Sequence, residues 1–168
     1  GDAASAVELL ITEDYAEAQR LARQLEKFNR ERQRTEMQIQ EEAIEMIERE
    51  SLADAPAIVL AAPNWHVGVI GIVASRIMDM YAVPVAIIGL DGDEGKGSVR
   101  SLGNVHAYKA LASCSEHLEG YGGHAMAGGL FIKTDAVEAF RKKFCEEVEK
   151  FGAQTGRGLG LDMKLDPE

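Results

Sequence analysis

The chain has no uninterrupted apolar run near the roughly 20 residues that cross a bilayer, so no membrane span and no membrane partner are expected. Its N-terminus has neither a basic stretch nor an apolar core behind it, which excludes a secretory leader from the segment given. Only two cysteines occur, Cys114 and Cys145, and they form no CxxC pair. A disulfide framework is therefore not expected; two small buried thiols in a reduced, cytoplasmic setting are. The four histidines, His66, His106, His117 and His124, show no HExxH-like spacing, so no metal site and no bound cofactor are expected in this chain. Positive charge is also scarce. The net charge is −10, which excludes a broad basic nucleic-acid surface.

That deficit is unevenly spread. Residues 1–56 carry 14 acidic and 7 basic side chains, residues 57–133 carry 6 and 5, and residues 134–168 carry 8 and 6. The near-neutral middle leaves room for a local cationic pocket. It also holds the glycine-rich motifs.

From Thr12, read as an N-cap, to about Glu50 there is no Gly or Pro, and helix formers dominate. Ala18, Leu21, Leu25 and Phe28 form an apolar stripe that lapses over residues 29–38 and resumes at Ile39, Ala43, Ile44 and Ile47. A helix polar all round in its middle bridges two bodies, and at 1.5 Å per residue this one would reach roughly 55 Å. An ordinary surface helix broken near Asn29 is the plainer alternative. Residues 1–54 are read as a connector whose first stretch packs on a domain outside this chain. The opening Gly1-Asp2, without an initiator Met, is read as that of a piece of a longer protein.

Residues 55–152, with a C-terminal strand running on towards 168, read as one α/β domain. Strands are expected over 57–62, 84–90, 96–101 and 127–133, and over 159–165 at the chain end. Helices are expected over 67–81, 107–118 and 136–151, with a loop over 152–158. The alternation implies a mixed β-sheet flanked by helices and preceded by the long N-terminal helix.

Three segments carry the chemistry. In Gly95-Lys96-Gly97-Ser98-Val99-Arg100-Ser101, strand alternation sends Lys96, Ser98 and Arg100 to one face, where two cations and a hydroxyl suit phosphate oxygens. A solvated edge strand guarded by Lys is the plain alternative. A P-loop is excluded, because Gly97 follows the Lys and Leu90 stands where the motif's first glycine belongs. Trp65-His66-Val67-Gly68 sits at a strand-to-helix junction, where free N–H groups favour an anion; alternatively Trp65 is only a core anchor. Tyr121-Gly122-Gly123-His124-Ala125-Met126-Ala127-Gly128-Gly129 sets a histidine among glycines that let the backbone approach a ligand closely, or forms a plain turn into a strand. Neither Ser98 nor Ser101 sits in a nucleophile elbow, and no carboxylate cluster is placed to hold Mg²⁺ or Mn²⁺. These segments together predict an anion-binding pocket of three loops without hydrolytic machinery of its own.

Residues 65–76, 95–101 and 122–129, in that order, resemble the RecJ family of bacterial single-strand-specific exonucleases, within the DHH phosphoesterase superfamily. The resemblance covers nearly the whole chain and implies a DHH-associated domain with its connecting helix. It implies that Arg100 and His124 grip terminal phosphate or nucleotide oxygens. Ser98, Gly122 and Gly123 would shape the pocket, with His66, Arg76 and Lys96 in support. It further implies a catalytic DHH domain in cis, carrying the ligands for two Mn²⁺ or Mg²⁺ ions and absent from this chain, so that the chain alone is inactive. The implied partner is single-stranded DNA at its 5′ end. Two departures from the family pattern stand out: Gly128 in place of a more usual Ala, and Asn104-Val105-His106-Ala107 before the helix. A phosphoesterase acting on oligoribonucleotides or cyclic dinucleotides shares the Gly-Gly-His motif and is the nearest enzymatic alternative. A non-catalytic interaction module built on the long helix is another, although Arg32, Thr35 and Glu42 make a poor coiled-coil seam.

Overall fold

The computed structural model describes residues 3–158. They form two compact units, residues 3–38 and residues 39–158.

The first unit holds helix α1 (Ala3–Ile11) and the first part of helix α2 (Tyr15–Arg49). The sequence predicts one helix from Thr12, but the chain breaks between the two. Asp14 supplies the cap instead of Thr12, its Oδ1 accepting from the backbone N–H of Ala16 at 2.8 Å. A carboxylate is the stronger acceptor there, and Thr12 is occupied in accepting the Asp14 N–H at 3.3 Å. Leu21 is buried, whereas residues 29–34 are exposed, as the lapse in the apolar stripe requires. Helical pairs such as Glu17–Arg20 at 2.6 Å and Arg32–Glu36 at 3.3 Å lace this part of α2. The helix is not broken near Asn29.

The second unit is a five-stranded mixed sheet in the order β1-β2-β3-β5-β4. Its strands are β1 (Ile58–Pro63), β2 (Val85–Asp91), β3 (Glu94–Arg100), β4 (Gly120–Gly123) and β5 (Ala127–Lys133). Helix α3 (Ile70–Tyr81) joins the parallel pair β1 and β2; the other pairings are antiparallel. A two-residue turn links β2 to β3 with Gly92 at φ 59, a value that glycine adopts without a Cβ penalty. Helices α4 (Ala107–Ser113) and α5 (Val137–Gly158) complete the unit.

Strand alternation sorts the core into two layers. Val59, Ala86, Ile88, Val99, Leu130 and Ile132 face α4 and α5, where Phe140 and Phe144 are fully buried. Ile58, Leu60, Val85 and Ile87 face α3 and the end of α2, against Ile39, Ala43, Ile47, Val73 and Ile77. β1 and β2 are covered on both faces, which is why they read as continuous apolar runs.

Several expected boundaries shift. The helix predicted from Val67 begins at Ile70, because His66 first closes a turn in which its carbonyl accepts from Val69 and Ile70. That predicted over 107–118 ends at Ser113, with a single 3-10 turn at Ser115–His117. The predicted loop over 152–158 is helical, carried on from α5. The strand predicted over 159–165 lies outside the described residues. Gly120–Gly123, expected as loop, forms the edge strand β4 through its pairing with β5. The expected pocket of three loops is thus a turn, a central strand and a hairpin.

Candidate functional site

Val99 points into the α4–α5 layer, so Lys96, Ser98 and Arg100 lie on the opposite face of β3, the one α3 covers. Arg100 ends the strand beneath the first turn of α3. Its Nη1 donates to Ser98 Oγ at 2.9 Å and to the Val99 carbonyl at 2.9 Å, and its Nε donates to Ser75 Oγ at 3.2 Å. The Ser75 hydroxyl is itself oriented by donating to the Gly71 carbonyl at 3.1 Å. At Gly71 a methyl group would stand 2.8 Å from Arg100 Nη2 and 3.0 Å from Ser98 Oγ, so the bare glycine is what admits the guanidinium. Every acceptor holding Arg100 is neutral, and among the described residues no carboxylate pairs with it. Nη2 keeps its donors, beside a helix N-terminus that lacks a side-chain cap. A half-buried guanidinium with no acidic partner among the described residues, and with its Nη2 donors unspent, has the donor set that an oxyanion accepts.

The other predicted residues take different places. Ser98 fixes Arg100. Exposed Lys96 holds its Nζ 5.6 Å from the centroid of the Phe131 ring. In β4, Gly123 at φ 143 is obligatory, since a Cβ would lie 2.4 Å from the Ala127 carbonyl oxygen. Gly122 pairs with Gly129, which in turn pairs with Ser98, and a Cβ at Gly122 would meet nothing within 4 Å. His124 is exposed in the β4–β5 turn; its N–H donates to Ala127 at 2.8 Å, and Ala127 lies opposite Arg100. Two strand spacings, about 10 Å, thus separate the backbones at His124 and Arg100. The turn is tied to α4, whose first N–H groups donate to it: Ala107 to the Ala125 carbonyl at 2.7 Å, Tyr108 to that of His124 at 3.2 Å. His66 sits at the entry to α3 with Nδ1 accepting from the Gly68 N–H at 3.0 Å. Gly68 is bare for that ring, because a Cβ would stand 2.9 Å from His66 Cε1. Arg76 lies on another flank of α3 and donates to Gln40 Oε1 at 3.1 Å.

Sequence reasoning passes over Gly71 and Ser75. Their spacing of four along one helix face is visible, but nothing in the sequence says which strand they meet. Trp65 is a core anchor, 4% exposed, with its Nε1–H donating to Glu42 at 2.6 Å. Burial pushes the Cys114 thiol up to about 12 and raises that of Cys145, which makes both poor nucleophiles and poor metal ligands. Among the described residues no group of three or more His, Cys, Asp or Glu side chains is placed to hold a metal ion. No helix among them is long and apolar enough to cross a membrane.

The single-stranded-DNA-specific exonuclease RecJ of Bacillus subtilis is 40% identical over 143 residues, 84% of this chain and 18% of the relative. The crystal structure of RecJ in complex with Mg²⁺ from Thermus thermophilus superposes with a TM-score of 0.79 at 37% identity, covering 88% of this chain and 23% of that one. A crystal structure of exonuclease RecJ bound to manganese gives 0.80 at 36% identity, over 89% and 37% respectively. The chain therefore spans between about a fifth and two fifths of the length of these relatives. The DHHA1 domain family matches residues 54–150, the stretch that contains the sheet, Arg100 and the Gly-Gly-His hairpin, and to that family this chain belongs.

Proposed function

We propose that this chain is the substrate-holding part of a RecJ-type exonuclease for single-stranded DNA, and that Arg100 receives a terminal phosphate at the 5′ end. The observation that carries the reading is the guanidinium held by Ser98, Ser75 and the Val99 carbonyl, with no acidic partner among the described residues. Ser98 and Ser75 fix its plane, so little side-chain freedom remains to be lost on binding. The first turn of α3 adds positive potential on the same side. His124, carried by the neighbouring hairpin, closes on the phosphate or the first sugar from across β5, over the bare backbone of Gly122 and Gly123. His66 and Arg76 support α3 from its entry and its flank, and Lys96 extends the cationic row along β3.

Phosphodiester hydrolysis in this reading uses Mn²⁺ or Mg²⁺, as the metal-bound RecJ structures suggest. The described residues do not fit that ion, since no ligand cluster exists among them. The metal would be held by a catalytic domain in cis, on which the exposed apolar side chains Leu10, Ile11 and Tyr15 of the first unit would pack. This chain alone is then inactive, and a purified sample that degraded single-stranded DNA in a metal-dependent way would contradict the reading. The reduced thiols suit a cytoplasmic setting.

The direct test is an NMR titration of the chain with a short single-stranded oligonucleotide carrying either a 5′-phosphate or a 5′-hydroxyl. The expected result is shifts at Gly71, Ser75, Ser98, Arg100 and residues 122–124 that are larger with the phosphate. Equal responses to the two oligonucleotides would overturn the assignment of Arg100 to the terminal phosphate.

A further inference from the structure

The same face of the sheet continues beyond Arg100 onto a region that α3 does not use for packing. By register, Lys96 stands opposite Phe131 and Ser98 opposite Gly129 on β5; Gly120 and Gly122 stand opposite Phe131 and Gly129 from β4. All of these but Ser98 line a shallow groove of about 610 Å³. The large apolar side chain on this face is Phe131, 52% exposed although it sits in mid-strand; Tyr121 and Leu130, which also line the groove, alternate to the other face.

The floor is made of glycines that the fold does not require. A Cβ at Gly122 would meet nothing within 4 Å, one at Gly129 only the Gly97 carbonyl oxygen at 3.7 Å, and one at Gly120 only Phe131 Cδ2 at 3.6 Å. None of the three has a positive φ. The glycines that pack internally behave differently: Gly97 meets Leu130 at 2.8 Å, Gly128 meets Leu111 at 2.7 Å and Gly89 meets the Trp65 carbonyl at 2.1 Å. Glycine in a strand costs stability, so three that neither turn the chain nor admit a neighbour leave a flat surface open to something from outside.

Charge selects the occupant. Lys96 and Arg100 stand at the two ends of the row, about 13 Å apart along β3. No acid lines the groove; Glu94, already paired with Lys133 at 3.0 Å, and Glu119 line the adjoining hollow with Lys96 and Phe131. The open stretch between Arg100 and Phe131 is thus cationic, flat and aromatic at one end. That combination suits a nucleobase with a phosphate on either side of it.

We infer that Phe131, with the floor of Gly120, Gly122 and Gly129, is a stacking shelf for the first nucleobase of a single strand whose terminal phosphate lies on Arg100. Lys96 meets the following phosphate. This rests on the phosphate reading of Arg100 above. An aromatic face accepts any base, so the shelf adds affinity without sequence preference. Lys96 gives up its position over the ring when the base arrives, exchanging a cation–π contact for a charge-assisted one.

The test titrates the chain with 5′-phosphorylated tetrathymidylate and with the same oligonucleotide carrying an abasic tetrahydrofuran residue at its 5′ end. Wild type should bind the intact strand about 5- to 140-fold more tightly, the range that base–aromatic stacking gives. Phe131→Leu, and Phe131→Ala where it folds, should erase that difference while leaving the abasic strand's affinity unchanged. Gly129→Ala, which the fold accommodates, should weaken the intact strand without lowering the melting temperature. No discrimination by wild type, or discrimination that survives in the Phe131 variants, would overturn the shelf. If the 5′-phosphate preference remains in that case, the Arg100 reading stands. If neither phosphate nor base matters, both fall.

Discussion

Arg100 and Gly71 form a pair in which one residue works through the emptiness of the other. The guanidinium fits because Gly71 has no side chain, and its direction is fixed by Ser98 and Ser75. Replacing Arg100 with Ala should weaken binding of a 5′-phosphorylated strand by about 1.5–3 kcal/mol, the worth of a hydrogen bond to a charged group, as read by NMR or anisotropy titration. Gly71→Ala separates site from fold. Within a helix the substitution favours folding by up to about 1 kcal/mol, so the melting temperature should hold or rise. The new methyl group would displace Nη2, and phosphate affinity should fall nonetheless. A Gly71→Ala protein that binds as well as wild type would show that the orientation of Arg100 does not matter.

Among the elements, α5 shows how the sheet is sealed. Phe140 and Phe144 stack at 5.4 Å between ring centroids, both fully buried against the sheet. Phe144→Ala should cost about 3–5 kcal/mol in chemical denaturation, because the close-packed layer cannot collapse fully into the space left. On its outer side, Glu147 lies between Lys150 at 2.6 Å and Lys143 at 3.2 Å. The hydrogen bond from Lys150, with that from Lys143, holds its carboxyl below its ordinary value of 4.5 despite an opposing effect of burial. A lowered carboxyl contributes stability that is present above its ordinary value and lost as pH falls through the folded one. Glu147→Gln should therefore lower the melting temperature above about pH 6 and change it little at the acid end, where the wild-type carboxyl is protonated in both states, so that the fall between the two is flatter.

The elements also differ in how far the sequence foretells them. β1 and β2 announce themselves as apolar runs because both of their neighbouring layers are apolar, and α3 through its buried stripe Ile70, Val73, Ala74 and Ile77. β3 is legible through alternation, which also puts Ser98 and Arg100 on one face. β4 is not, since three of the four residues in Gly-Tyr-Gly-Gly are glycines, which strands disfavour, and the segment becomes a strand through β5. The start of α2 is obscured because Asp14 competes with Thr12 for one role. The contribution of α3 to the site is hidden by distance along the chain: Ser75 and Arg100 are 25 residues apart.

At the scale of the whole molecule, a net charge of −10 with Arg100 and Lys96 as the cations of the proposed phosphate site predicts how binding responds to salt. Each phosphate neutralised on a single strand contributes a slope of about −0.7 to log K against log salt. Contacts by Arg100 and Lys96 alone predict a slope between about −0.7 and −1.4 for a short oligonucleotide, measured by anisotropy over a range of NaCl. A much steeper slope would mean that cations elsewhere take part. The distribution of acid and base along the chain already foretells this local, modest electrostatic footprint.

The bonds from Ala107 and Tyr108 to the hairpin turn have a consequence in time as well as in space. Helix α4 has no side-chain cap at its N-terminus; the carbonyls of His124 and Ala125 serve in its place. The turn bearing His124 cannot swing away without unsealing that helix, so its motion is governed by the fraying of α4. The exchange rates of two amide protons, those of Ala107 and Tyr108, are therefore a clock for how often the histidine leaves its post.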